Sequence, residues 1–411
     1  MRVLSARDKR AVDRLIAHKP ADDRAFRRRV QAIVDAVRRE GDRALVRFAK
    51  RFDAATPPLE VTPAAIRAGA TRVDVTVRRA LAQAAEHIAR VAARQIPHHF
   101  DVTVVPGVTI EQRVEPLRAV GCYVPGGRFP LPSSLLMTAV PAHVAGVRDI
   151  VAVCPRPEPV VLAAALEAGV TRLFRVGGAH AIAALAYGTR TVPRVDKIVG
   201  PGNRYVATAK SLVAGDCAID FYAGPTEVLV VAGAGRAEWI AADLVAQAEH
   251  DPDARSVLIT WSRPLAARVS AALDRISRGR DIVQRSLQAN GAIIVARTDR
   301  EAMDLANRFA PEHLVLDRES LARRPIVAGA VFIGEYTAQA AGDYATGSNH
   351  VLPTGGAARA RGGLSAADFM RAMTVQRVTR PGLRRIAAAA VPLARAEGLQ
   401  GHAESIEIRL K

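Results

Sequence analysis

The chain is poor in the residues that mark several whole classes of protein. Only three cysteines occur in 411 residues, Cys122, Cys154 and Cys217, at irregular spacing. That excludes a disulfide framework or zinc ribbon and suits a reducing cytosol. Aromatic residues make up 4%, too few to interleave with basic side chains as a nucleic-acid surface requires. No run approaches the ~18 apolar residues of a membrane-spanning helix. The opening stretch, MRVLSARDKRAVDRL, carries charge where a secretory signal needs an apolar run. Lysine is scarce as well: of 58 basic residues, six are Lys and 52 are Arg. The net charge of +18 is spread along the chain rather than clustered, so it reads as a compositional bias. It still favours anionic ligands such as a dinucleotide. A cytoplasmic protein with no nucleic-acid or membrane partner is expected. The G-x-G-x-x-G fingerprint is also missing, since Gly233-Ala234-Gly235 lacks a third glycine, so any cofactor must use other turns.

What is present describes a globular protein of more than one domain. Hydrophobic residues make up 49% and charged residues 24%, and the length suffices for two core-bearing domains. Residues 23–51 are helix-periodic, with Phe26, Val30, Ile33, Val34, Val37, Leu45 and Phe48 as the expected buried stripe. Pro57-Pro58 breaks this pattern, and an Ala-rich helical stretch follows from Pro63 to Ile96. From Val104 the character changes to strand-like runs alternating with short helices, continuing to AVFIG at 330–334. A helix is expected to start near Ser133-Ser134. Such alternation argues for doubly wound, mostly parallel α/β sheets. The turns Pro125-Gly126-Gly127, Gly177-Gly178 and Gly200-Pro201-Gly202-Asn203 follow predicted strands, and ligands bind at that end of open α/β sheets. Residues 335–363 are irregular, with Asp343, Tyr344, Asn349 and His350 too specific for a disordered segment. Ser365 and Asp368 form a capping box. A last helix is expected over 381–397, then a loop at 399–402 and a closing strand over 405–410.

One stretch organises the chemistry. AADLVAQAEHDPD (241–253) ends a helix at Asp251-Pro252 and puts Gln247 and His250 three apart, on one face. An amide oxygen and an imidazole side by side can hold a divalent cation, although such a pair is more often a polar helix end. Three later stretches add weight: PEH at 311–313, AGDY at 341–344 and LQGH at 399–402.

The chain resembles the histidinol dehydrogenase family from about Leu117 to its end. YVPGG (123–127), VGGAHAIAALAYGT (176–189), KIVGPGN (197–203), AIDFYAGPTEVLV (218–230), QAEH (247–250), PEHL (311–314), AGDYATGSNHVLPT (341–354) and EGLQGH (397–402) carry the resemblance. It implies two Rossmann-like doubly wound domains of the aldehyde-dehydrogenase kind with small terminal segments. The expected partition is an N-terminal segment 1–22, a metal-bearing domain 23–117 plus 226–364, a second domain 118–225 and a C-terminal arm 365–411. It also implies four-electron oxidation of L-histidinol through L-histidinal to L-histidine with two NAD, in a homodimer with shared sites. Gln247, His250, Asp343 and His402 would hold one zinc ion, an N/O set without thiolate. Glu312 would activate water and His313 act as base. Thr226 and Glu397, together with Gln247, His250, His313, Asp343 and His402, would contact substrate. Tyr123, His180 and Asn203 would contact NAD. Position 180 carries His where the family pattern has Gln, and position 226 Thr where it has Ser. Two rivals stay open: a paralogue oxidising another polar alcohol, and a zinc hydrolase on the same fold. A thiohemiacetal on Cys122 or Cys154 is rejected in favour of buried, inert thiols.

Overall fold

The computed structural model describes residues 1–17, 23–126, 130–222 and 224–411; Gly127 and Ala223, both in quoted motifs, lie outside them. Two six-stranded sheets carry the fold. In sheet I the order is Arg2–Ser5, Ala292–Val295, Arg255–Thr260, Glu227–Val231, His313–Leu316, Ala330–Ile333, all parallel. In sheet II it is Glu60–Val61, Arg172–Phe174, Asp149–Val153, Ala119–Tyr123, Lys197–Val199, Ala218–Ile219, with only the first strand antiparallel. Leaving out the added first strand, each sheet follows the doubly wound order 3-2-1-4-5. The expected α/β architecture is therefore present twice.

Parallel strands must be covered on both faces, which explains where the helices go. One face of sheet II packs under Ile66, Leu81 and Ile88, from helices Pro63–Ala70 and Val75–Arg94. The other packs under Phe26, Val30, Val34 and Leu45, from helices Arg24–Glu40 and Asp42–Phe48. Gly41 (φ 57) separates those two helices. Sheet I is covered by helices Ala237–Ala248, Arg263–Ile276 and Asp281–Ala289 on one face. Helices Lys9–Ile16 and Asp299–Phe309 cover the other.

Three segments therefore sit elsewhere than the expected partition put them. Residues 24–94 belong with sheet II rather than with the metal-bearing half, because their apolar stripes bury against its strands. The N-terminal segment is not an appendage: Arg2–Ser5 pairs with Ala292–Val295 and extends sheet I. Residues 100–116 form a hairpin, Phe100–Val105 with Val108–Pro116, that pairs antiparallel with Met370–Val378, so they belong to the C-terminal arm.

Two local expectations also change. The helix near Ser133-Ser134 starts at Pro132 with no side-chain cap, proline itself fitting the first helical turn. The closing strand at 405–410 is replaced by a helix, Gln400–Glu407. Ala403 and Ile406, spaced as on one helix face, pack with Leu410 against Ala387, Val391 and Ala394 of helix Arg380–Ala396. Among the described residues no helix is long and apolar enough to cross a membrane.

Candidate active site

The strands Glu227–Val231 and His313–Leu316 are neighbours, Val228 opposite His313, so the residues entering them lie side by side. The helix before the second strand ends at Ala310 in the left-handed region (φ 52), an uncommon conformation for a residue with a side chain. That turn delivers Glu312 and His313 to the amino edge of sheet I. The candidate site lies at this edge, opposite to where open α/β sheets usually bind ligands.

Glu312 is buried, and its Oε2 accepts the Thr226 hydroxyl at 2.6 Å and the Glu227 amide at 2.7 Å. Burial pushes its carboxyl up to about 8, against these two donors. Gln247, in the last turn of helix Ala237–Ala248, donates its amide N–H to the Thr226 hydroxyl. The Thr226 hydroxyl thus accepts from Gln247 and donates to Glu312. The amide oxygen of Gln247 is left buried without a partner.

His313 Nδ1 stands 2.9 Å from the Glu227 carbonyl. A carbonyl only accepts, so Nδ1 carries the proton and Nε2 the lone pair. Nε2 is buried without a hydrogen-bond partner, 3.8 Å from Asp343 Oδ1. Burial holds the imidazole below its usual range, and the Asp343 carboxylate opposes that shift. Asp343 follows the short helix Gln339–Gly342; its Oδ2 accepts from Gln339 at 3.1 Å, and its carbonyl accepts from His350 Nδ1 at 2.9 Å. His250 is exposed, with Nδ1 donating to the Ala246 carbonyl at 3.0 Å, which leaves Nε2 as its acceptor. It lies near Glu312 and His350.

These features fit a hard divalent cation. The buried Gln247 oxygen, the Nε2 lone pair of His250 and the Asp343 carboxylate form an N/O donor set of the kind zinc accepts. Among the described residues no three His, Cys, Asp or Glu side chains by themselves make a ready metal cluster. A cleft of about 1100 Å³ opens beside His250, lined among others by Glu249, Tyr344, Leu81 and Leu136.

The carboxyl edge of sheet II carries the other expected group. Gly200 (φ 114) needs to be glycine, because a Cβ there would stand 2.3 Å from the Tyr123 carbonyl oxygen. Asn203 caps helix Arg204–Val213, accepting from the Tyr205 and Val206 amides. The Tyr123 hydroxyl accepts the Gly178 amide at 3.0 Å, and His180 Nε2 pairs with Asp53 at 2.8 Å. Both rings are buried. The corresponding turn of sheet I is already filled, since Asp317 accepts the Gly233 and Ala234 amides at 2.7 and 3.2 Å.

Glu397 and His402 are not brought to this cluster within the chain. They lie on the arm, where both are exposed and where helices Arg380–Ala396 and Gln400–Glu407 pack chiefly on each other. Glu227, whose carbonyl sets the His313 tautomer, and Gln339, which orients Asp343, were not anticipated. Glu227 reads in sequence simply as the start of a strand, and Gln339 falls in the irregular stretch. The thiols are inert: burial pushes Cys122 and Cys217 up to about 12 and Cys154 to about 11.

Comparison with known proteins adds an independent line. The family model described as histidinol dehydrogenase matches residues 17–410. A histidinol dehydrogenase of Syntrophotalea carbinolica is 45% identical, covering 100% of this chain and 99% of its own length. One of Brucella melitensis is 46% identical over 93% of this chain and 92% of its own length. The crystal structure of histidinol dehydrogenase from Elizabethkingia anophelis superposes with a TM-score of 0.94 at 32% identity, covering 100% of this chain and 98% of that one.

Proposed function

We propose a function that starts from one premise: the chain belongs to the histidinol dehydrogenase family. It is an NAD-dependent oxidoreductase of histidine biosynthesis, and its reaction takes L-histidinol through L-histidinal to L-histidine. The observation that carries the residue assignment is the orphaned pair of buried acceptors, Gln247 Oε1 and His313 Nε2, beside Asp343.

Zinc, when bound, fixes the substrate's nitrogen atoms, and NAD, when bound, takes up hydride. Gln247, His250 and Asp343 hold the metal. His313 receives the alcohol proton on Nε2, the nitrogen left bare by the Glu227 carbonyl; its lowered pKa keeps that nitrogen unprotonated at neutral pH. Glu312, once ionised, takes a proton from the water that adds to the aldehyde carbon. Thr226 steadies the ionised form by donating to Oε2. Tyr123, His180 and Asn203 border the dinucleotide at the carboxyl edge of sheet II.

The fourth ligand, His402, and the substrate-facing Glu397 then serve the other subunit of a homodimer. Two features support this reading: Glu397 and His402 lie exposed on the arm, and the arm carries exposed Leu393, Leu399 and Ile408. The NADH formed per L-histidinol consumed by metal-loaded enzyme tests the overall activity. Two are expected; one would indicate a simple alcohol dehydrogenase, and none a hydrolase.

A further inference from the structure

The group that holds His180 carries a further assignment, resting on the reading that NAD binds at the carboxyl edge of sheet II. Asp53 ends the π-helical turn Ala49–Asp53, far in sequence from the Gly177-Gly178 turn. Its Oδ2 accepts the Gly177 amide at 2.9 Å and pairs with His180 Nε2 at 2.8 Å, the two side chains being 8% and 2% exposed. The same oxygen accepts a backbone amide and faces the imidazole, so Nε2 carries the proton and the ring is held in one tautomer. The stacked rings of Phe48 and Phe52 lie beside the imidazole, their centroids 6.0 Å from it. Gly178 has φ +59, and its amide is held by the Tyr123 hydroxyl.

The amides of the N-cap Gly177 and of the first helical residue Gly178 are therefore committed inside the protein, to Asp53 and Tyr123. They are not turned outward to a phosphate, as the first amides of dinucleotide-binding turns are. What this edge offers a cofactor is the turn itself, shaped from beneath by the buried Tyr123 and His180 rings. Asp53 fixes the turn and the His180 ring at once.

We propose that Asp53 is a positioning residue for NAD, holding the Gly177-Gly178 turn and the His180 ring in the arrangement that receives the dinucleotide. Cofactor affinity is thereby tied to the Ala49–Asp53 turn.

Steady-state kinetics of Asp53→Ala and Asp53→Asn test this. Asp53→Ala should raise KM for NAD about tenfold or more, the worth of one hydrogen bond to a charged group. KM for histidinol should stay within about twofold, since uniform binding of the alcohol is untouched. Asp53→Asn keeps an acceptor oxygen and should recover most of the loss. In a His180→Gln background the Asp53→Ala effect on NAD should shrink, because the two residues act as a unit. If Asp53→Ala does not fold, Asp53→Ser, too short to reach both partners, takes its place with the same expectation. Equal rises in both KM values, or no change for NAD, would overturn the assignment. Asn203→Ala separates the two layers. If it raises KM for NAD while Asp53→Ala does not, only the Asp53 role falls. If neither variant does, the cofactor reading itself falls and takes the Asp53 role with it.

Discussion

Replacing Thr226 by Val keeps the shape and deletes one hydroxyl, and the structure sets the size of the effect. That hydroxyl donates to Glu312 Oε2 at 2.6 Å and accepts from Gln247. A hydrogen bond to a charged group is worth ~1.5–3 kcal/mol, so losing it lowers the ratio of ionised to protonated Glu312 about tenfold or more. The group sits at about 8, so at pH 8 its ionised fraction should fall from about half to about a tenth or below. Oxidation of added L-histidinal, which needs ionised Glu312, should then drop roughly fivefold or more at pH 8. The sign follows from the base being the active form. In wild type the rate rises with pH and levels off above about 8; in the variant the same curve is displaced upward, so the deficit narrows at high pH. NADH release from L-histidinal, followed by absorbance from pH 6.5 to 10, measures this, with Thr226→Ser as the variant that should retain the profile. A uniform loss at every pH, or an equal loss in the first hydride transfer from L-histidinol, would show that Thr226 acts only by contacting substrate.

Three further outcomes are expected. Glu312→Gln should impair L-histidinal oxidation by about 100-fold, within the usual worth of a general base, and the alcohol step much less, as single-turnover half-reactions would report. His250→Ala should abolish stoichiometric zinc by elemental analysis yet move the melting temperature by only a few degrees, because the side chain is exposed and makes one hydrogen bond. Refolding inactive His250→Ala and His402→Ala chains together should restore about a quarter of wild-type activity, because half the dimers are mixed and each has one intact site. Confirmed mixed dimers without activity would show that no ligand crosses the interface.

The sequence by itself determined the kind of elements and the family. Alternation of apolar runs such as EVLVV and AIIV with helical stretches is local information, and it sufficed for two parallel α/β sheets. The residues proposed to carry the chemistry, Gln247, His250, Glu312, His313 and Asp343, could be singled out because they sit in motifs whose order and spacing are distinctive. Periodicity says which face of an element is apolar, not which surface it will cover. The helices of 24–94 could have served either sheet; only the packing of Ile66, Leu81 and Ile88 on one face, and Phe26 and Leu45 on the other, decided for sheet II. Ser405–Leu410 alternates like a strand, yet Ala403 and Ile406 find a partner helix at Ala387, Val391 and Ala394, and that burial overrode the local pattern. Strand Met370–Val378 found its place only through the distant hairpin it pairs with. The placement of the proposed catalytic cluster at the amino edge of sheet I, and of Asp53 beneath His180, depends on contacts between residues 86 and 127 positions apart. No local pattern encodes such contacts, because they exist only once both elements have packed.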